Sequence, residues 1–286
     1  MQYEAPPTLD DATALLAGAP GTARVLAGGT DLLVQMHSDI VSPDLVVDIK
    51  NIAEMRTITL EDGRYRVGAA VTGMEIMEHA DFNKVWPGVV DGVRLIGSIQ
   101  IRGRATMGGN LCNASPAADS VPAIIAAGAL ASIAGPNGRR EVPVEEIGVG
   151  PGKTSLAKGE IVASFLFPRR APRSGGAYLR FTPRTEMDIA VVGFGIDLTL
   201  DASGTCTAAK VALGAVAERI LVVDDAARAL IGTGIDDAAI RNLEQAARAA
   251  ARPIDDKRGT KEFRVEIAGV LARRATQIAA ERARQG

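Results

Sequence analysis

Leu26-Ala-Gly-Gly-Thr-Asp-Leu-Leu33 carries a short apolar run, Ala23–Ala27, through a Gly-Gly pair into a helical pattern over Leu32–Met36. Glycine has no Cβ and tolerates positive φ, so such a turn lets an anion approach successive backbone amides. The Thr30 hydroxyl adds a donor, and the start of the following helix adds favourable dipoles. A plainer reading is a tight turn with Thr30 or Asp31 as helix N-cap, because the G-x-G-x-x-G fingerprint is missing. The same chemistry returns at Thr106-Met-Gly-Gly-Asn110: a hydroxyl, two glycines, then an amide side chain. Asn113, Ser115, Asp119 and Ser120 follow among small residues, a stretch suited to lie along a diphosphate and a polyhydroxylated chain. It reads equally as an elaborate loop before a capped helix. Recurrence favours a shared diphosphate, which presents several oxygens at once.

Around these segments the pattern alternates strand and helix. Thr8 and Asp11 form a capping box for a helix through Leu15–Leu16, and Thr72 and Glu75 form another. Leu45–Ile49 reads as a strand, and Ile58–Leu60 with Tyr65–Val67 as a hairpin across Asp62-Gly63. Asp119 or Ser120 is placed to cap an apolar helix over Val121–Ala127. A second hairpin is expected across Gly135–Gly138, and a long one over Ile189–Val216. Composition shifts at Pro168–Gly176, the expected boundary before a C-terminal part. That part ends in helices over Ile235–Ala251 and Lys261–Arg284, the latter with Phe263, Ile267, Val270, Leu271 and Ile278 on a helical period. The class is α+β, and 286 residues at about 100–200 per domain make one to three domains.

Composition excludes several functions. Lys plus Arg number 32 against 34 Asp plus Glu, a net charge of −2 that supplies no field for nucleic acid or an anionic membrane. One Trp, three Tyr and six Phe make no base-stacking platform. Cys112 and Cys206 are far apart, as are His37 and His79, so no spacing suits zinc or an iron–sulfur cluster. No apolar stretch is long enough for a transmembrane segment. A cysteine-poor chain without a secretory signal reads as cytoplasmic. Gly148-Val-Gly-Pro-Gly-Lys-Thr154 imitates a Walker A loop, but Ile147 stands where its first glycine belongs and Pro151 removes an amide. No nucleophile–base pair is evident. Arg180, Arg184 and Asp188 form either a polar cluster at a ligand or an exposed ion pair. Sparse acid–base machinery suits a protein that holds a reactive cofactor and leaves the chemistry to it.

These residues resemble a known family. Leu26–Leu33 and Gln100-Ile-Arg-Gly-Arg-Ala-Thr-Met-Gly-Gly-Asn-Leu-Cys-Asn-Ala-Ser-Pro-Ala-Ala-Asp-Ser120 look like the two flavin loops of molybdenum hydroxylases. Gly150–Thr154, Gly159–Val162, Met187–Ala190 and Arg258–Arg264 match in family order, so the likeness covers essentially the whole chain. It is narrowest with the separate FAD-binding medium subunit of the xanthine dehydrogenase and carbon monoxide dehydrogenase type. The resemblance implies a two-subdomain FAD-binding fold of the vanillyl-alcohol-oxidase (PCMH) type plus a C-terminal antiparallel-sheet-and-helix domain. The implied division is 1–55, 56–172 and 173–286.

It further implies FAD contacts at Leu26, Ala27, Gly28, Gly29, Thr30 and Asp31, and at Thr106, Gly108, Gly109 and Asn110. Asn113 and Asp119 match positions near the ribityl chain or ring, and Ile161 or Val162 an apolar contact. Arg180 stands where relatives often carry lysine near the isoalloxazine, a bulkier and permanently charged replacement. By the same resemblance, a large molybdenum subunit and a small subunit with [2Fe-2S] clusters would be partners in a dimer of heterotrimers. FAD would pass electrons from the clusters to an external acceptor. The complex would be cytoplasmic, its only membrane link being peripheral. The competing readings are a self-sufficient FAD-dependent oxidoreductase of this fold and a non-catalytic nucleotide-binding assembly module.

Overall fold

The computed structural model describes residues 1–286. Its first sheet is parallel throughout: β1 (Gln2–Glu4), β2 (Ala23–Leu26) and β3 (Leu45–Asp48) lie in the order β1-β3-β2. Helices α1 (Leu9–Gly18) and α2 (Leu32–His37) make the two crossovers that parallel strands require. The Thr8 hydroxyl accepts the Asp11 amide at 3.2 Å, and Leu9, Ala12 and Leu16 bury one face of α1. Because β2 ends at Leu26 and α2 starts at Leu32, the first Gly-Gly segment is a strand-to-helix connection.

The second sheet is antiparallel, with β4 (Ile58–Glu61), β5 (Arg64–Gly68), β6 (Leu130–Gly135), β7 (Gly138–Pro143) and β10 (Ile161–Leu166) in the order β4-β5-β10-β6-β7. Asp62 and Gly63 both take positive φ at the β4–β5 turn, as a tight hairpin needs. Six helices separate β5 from β6: α3 (Gly73–Glu78), α4 (Ala80–Val85), α5 (Pro87–Arg94), α6 (Ile99–Arg102), α7 (Met107–Cys112) and α8 (Ser120–Ala126). The Thr72–Glu75 capping box opens α3. His79 is structural, its ring nitrogen accepting the Phe82 amide at the start of α4. The Walker look-alike is a small hairpin, β8 (Gly148–Gly150) and β9 (Lys153–Thr154), turning at Pro151-Gly152.

The third sheet runs β11 (Ser174–Phe181), β12 (Val192–Leu200), β13 (Cys206–Gly214) and β14 (Leu221–Val222), all antiparallel neighbours. It is followed by α9 (Asp224–Arg228), α10 (Asp237–Ala250) and α11 (Lys261–Gln285). One apolar core joins the first two sheets and their helices, and a second lies within residues 177–283. The third sheet is covered on both faces. On one side α11 presses so close that a Cβ at Gly175 would overlap the Ala279 carbonyl. On the other, a Cβ at Gly195 would meet the Pro122 carbonyl oxygen of α8 at 2.6 Å.

One expectation is refined and one is corrected. The large apolar residues alone do not form the buried stripe of α11: Leu271 is buried, but Phe263 is 40% exposed and Ile267, Val270 and Ile278 are half-buried, and most of the stripe is Ala268, Ala272, Ala275, Ala279 and Ala283. The close approach at Gly175 explains the alanines nearest it, since only methyl groups fit where the helix and sheet come closest. Nor does Asp119 cap α8, although it occupies the N-cap position, because its carboxylate is committed elsewhere. No helix is long and apolar enough to cross a membrane.

Candidate functional site

The fold brings together two glycine segments about eighty residues apart. A Cβ on Gly28 would overlap the Arg104 carbonyl and lie 3.0 Å from the Ala105 Cα, so the first segment is in backbone contact with the approach to the second. Ala105 in turn accepts the Gly73 amide at 2.8 Å. At the near end of α7 the Thr106 hydroxyl accepts the Gly109 amide at 2.9 Å. Gly108 is glycine for packing, since a Cβ there would meet the Ala69 carbonyl oxygen at 2.6 Å. Gly109 faces open space apart from Thr106 Oγ1 at 3.1 Å. Gly29 holds φ at +77°, where side chains are strained.

The backbone amides decide the chemistry of this junction. No acceptor in the chain takes the N–H of Ala27, Gly28, Gly29, Thr30 or Asp31, and those of Thr106 and Gly108 are equally free. All but Asp31 of these residues are buried or half-buried. Unpaired donors converging from two touching segments, two of them on buried residues, form a ready site for an external anionic acceptor. The side chains reinforce the contact. Gln35 Nε2 donates to Asn113 Oδ1 at 3.3 Å, and Asn113 Nδ2 donates to Asp31 Oδ1 at 3.4 Å. Asn110 turns its oxygen to the Ser120 amide and hydroxyl, at 3.2 and 2.7 Å, tying α7 to α8. An oxygen-rich, extended, doubly anionic ligand fits these donors, and a nucleotide diphosphate has that chemistry.

Asp119 and Arg180 form a second cluster, across the seam between the two cores. Arg180 Nη1 donates to Asp119 Oδ2 at 2.6 Å and to the Asp188 carbonyl at 3.3 Å. Tyr178 Oη donates to Asp119 Oδ1 at 3.1 Å. All three side chains are buried, and desolvation lifts the Asp119 carboxyl up to about 7 against the opposing pull of Arg180. Desolvation, with the neighbouring Asp119 charge, drives the Tyr178 phenol well above its usual value. Arg184 is exposed and meets the largely buried Asp188 carboxylate at 3.7 Å, whereas Arg180 reaches only the Asp188 carbonyl, so the three residues adjoin one another but only Arg180 belongs to the buried cluster. Ile161 and Val162 are buried in β10, paired with Ala134 and Ile133. A bulge beside them offers the Ala163 carbonyl to the Ala69 amide at 2.9 Å, and Ala69 backs Gly108. The Cys112 thiol is pushed up to about 12 by burial, which makes it an inert packing group.

The residues 1–170 match a family described as the FAD binding domain in molybdopterin dehydrogenase. The chain belongs to this family. Residues 177–279 match the CO dehydrogenase flavoprotein C-terminal domain. Among relatives, the chain is 33% identical over 274 residues to the putative xanthine dehydrogenase FAD-binding subunit of Escherichia coli strain K12, covering 95% of this chain and 93% of that one. It is 32% identical over 283 residues to the carbon monoxide dehydrogenase medium chain of Afipia carboxidovorans, covering 99% and 97%. A crystal structure of the Cu,Mo-CO dehydrogenase in its cyanide-inactivated form superposes with a TM-score of 0.94, at 31% identity, over 99% of this chain and 98% of that chain.

The flavoprotein fold expected from the sequence is thus shown, and with it the place of this subunit among oxidoreductase components. The free amides fit FAD on their own terms, as donors for a diphosphate. Sequence reading missed Gln35, Ala69 and Tyr178. Gln35 was within reach, since it lies four residues after Asp31 and shares its helical face. Tyr178 becomes visible only once β11 is laid against α8.

Proposed function

We propose that this chain is the relay subunit of a multi-subunit molybdenum hydroxylase. It would receive electrons from [2Fe-2S] clusters of a small partner, themselves fed by a large molybdenum subunit, and deliver them through FAD to an external acceptor. The observation that carries the reading is the juxtaposition of Ala27–Asp31 with Thr106 and Gly108, whose amides are all unpaired. In this reading those amides and Asn110 hold the pyrophosphate. Asn113 and Asp119 face the ribityl chain or ring, Ile161 or Val162 supplies an apolar contact, and Arg180 places a fixed positive charge near the isoalloxazine. Backbone dipoles carry the diphosphate without a lysine, and their rigidity costs no reorganisation on binding. FAD, when bound, supplies a junction between one-electron and two-electron chemistry. The chain itself contributes binding, orientation and charge. Its Asp119 is engaged by Tyr178 and Arg180, so this buried carboxylate is committed to the cluster. The assembly is a dimer of heterotrimers in the cytoplasm, and the division 1–55, 56–172 and 173–286 assigns both glycine segments to the FAD-binding part.

The test is an absorption spectrum of the purified chain with and without FAD, followed by acid release and identification of the flavin. Gly109→Val is the sharper variant, because a side chain there meets only Thr106 Oγ1 and enters the open side of the cradle. It should fold and lose FAD, whereas Gly28→Val should break the contact with Arg104 and destabilise the fold as well. Wild-type protein at about 100 times the Kd for FAD should gain about 2.7 kcal/mol of stability, and Gly109→Val should gain none. Full flavin content in Gly109→Val would remove the pyrophosphate assignment.

A further inference from the structure

From residue 92 to residue 118 the chain contains no acidic residue, and its only charges there are Arg94, Arg102 and Arg104. Arg102 alone of the three is buried, at 8% exposure. Its Nη1 donates to the carbonyls of Ile96 at 3.2 Å and Gly97 at 3.5 Å, and its Nε is buried with no acceptor. A largely buried guanidinium with no carboxylate within ion-pair distance, and with its Nε left without an acceptor, is disfavoured unless it does something in return. Its location shows what that is. The turn it grips, residues 95–98, leaves α5 where Gly92 lies against the Asp119 backbone, a Cβ there meeting the Asp119 carbonyl oxygen at 2.9 Å. It enters α6, whose continuation through Arg104 and Ala105 touches Gly28. The turn therefore spans the gap between the buried Asp119–Arg180 pair and the two glycine segments. It is held tightly, with Gly97 at φ +53° against the Ile101 side chain.

We infer that Arg102 is a positioning residue for the flavin. Its guanidinium fixes the Ile96–Gly97 turn as a wall of the cleft between diphosphate and ring, and its unneutralised charge favours the electron-rich, reduced form of the ring beside that wall. The inference rests on the FAD reading above and adds to it a residue and an electrostatic role. The charge acts through space, and a charge held inside the protein is screened less than one in water. The planar fork matters as well, because lysine offers one compact head in place of two directed edges.

The test uses the full chain loaded with FAD, comparing wild type, Arg102→Met, Arg102→Lys and the exposed-charge control Arg94→Gln. Two readouts are taken: the midpoint potential of the bound flavin by dye equilibration, and its visible circular dichroism. Arg102→Met should shift the two-electron equilibrium about tenfold toward the oxidised form, about 30 mV, and alter the dichroism. Arg102→Lys should keep the potential near wild type yet still alter the dichroism, and Arg94→Gln should change neither. Wild-type potential and dichroism in loaded Arg102→Met and Arg102→Lys would overturn the inference. If Arg102→Met retains no flavin, the dichroism of Arg102→Lys decides: altered supports the role, unaltered removes it. Loss of fold in both variants would assign Arg102 to folding alone and also overturn it. Failure of wild-type protein to bind FAD would instead sink the cofactor reading, so the two failures are distinguishable.

Discussion

The β11–β12 ladder holds two buried aspartate–arginine pairs built by the same device. At one end Asp197 lies directly across from Gly176, and a Cβ on that glycine would sit 2.5 Å from its carboxylate. At the other end Arg180 lies across from Gly193, and a Cβ there would sit 2.5 Å from the Tyr178 hydroxyl. The room vacated by the glycine holds the Asp197 carboxylate at one end and, at the other, the Tyr178 hydroxyl that bonds Asp119. Arg170 meets Asp197 at 2.5 Å and stacks over the Trp86 ring at 4.3 Å, pinning the segment that joins the two cores. Arg180 meets Asp119 at 2.6 Å, on the residue that begins α8 and follows the second glycine segment. Desolvation raises both carboxyls to about 7. The perturbed carboxyl is therefore the same at a structural seam and at a candidate site. What distinguishes them is neighbourhood: only Asp119 shares its surroundings with unpaired amides. A shifted pKa finds buried charge, and a ligand site needs a second signal.

The comparison breaks most visibly when each arginine is removed. Arg180→Ala leaves Asp119 and the Tyr178 hydroxyl buried around a missing cation, and should cost about 3 kcal/mol by chemical denaturation. It should also lower FAD retention. Arg170→Ala exposes a pair already 14% and 18% open at its side chains, so its cost should be smaller, about 2 kcal/mol, the lost stacking on Trp86 included. Its flavin content, measured on folded protein, should stay at the wild-type level. Equal flavin loss in both variants would mean that the two ends of the ladder do not differ in function.

Much of this arrangement was legible in the sequence. The strand–Gly-Gly–helix punctuation at Leu26–Leu33, the Thr72 capping box and the Asp62-Gly63 turn are local signals, and local geometry decides them. The two glycine segments were recognisable as chemically alike. Their contact at Gly28–Arg104 was not, because it depends on how α6 and α7 return to the first sheet. The Asp119–Tyr178–Arg180 cluster was half visible. Asp119 and Arg180 were singled out, but their bond needs β11 to pack on α8, a non-local event. The buried face of α11 was only partly legible for a related reason. Periodicity marks large apolar residues, whereas a sheet with Gly175 at the contact selects for alanine, which carries little hydrophobic signal of its own.

A finer distinction lies in pH. An aspartate whose carboxyl is about 7 in the fold and about 4 when unfolded binds its proton more tightly in the native state. Stability from such a group is greatest below about pH 4 and declines as pH rises to about 7, then levels. Asp119→Asn and Asp197→Asn should each flatten part of that slope in urea titrations between about pH 4 and 7. FAD affinity over the same interval should respond to Asp119→Asn alone. A wild-type stability that rises with pH across this window would show that Arg180 and Arg170 hold the carboxylates ionised and outweigh their desolvation.

The smallest effect concerns the Tyr178 hydroxyl. Tyr178→Phe removes one hydrogen bond to a carboxylate and leaves a small void opposite Gly193, while the ring keeps its packing. Asp119 retains Arg180, so its oxygens are not stranded, and the loss should be about 1 kcal/mol. The informative quantity is then the coupling between this change and Gly193→Ala. A methyl at residue 193 needs the space the hydroxyl fills, so Gly193→Ala alone should be destabilising, whereas combined with Tyr178→Phe it should cost distinctly less. At the other end, Gly176→Ala has no partner atom that can be deleted without losing Asp197 itself, and the same rescue should fail. Additive costs for Tyr178→Phe and Gly193→Ala would show that the glycine serves the close approach of strands and not the hydroxyl, and the likeness between the two ends of the ladder would lose its physical basis.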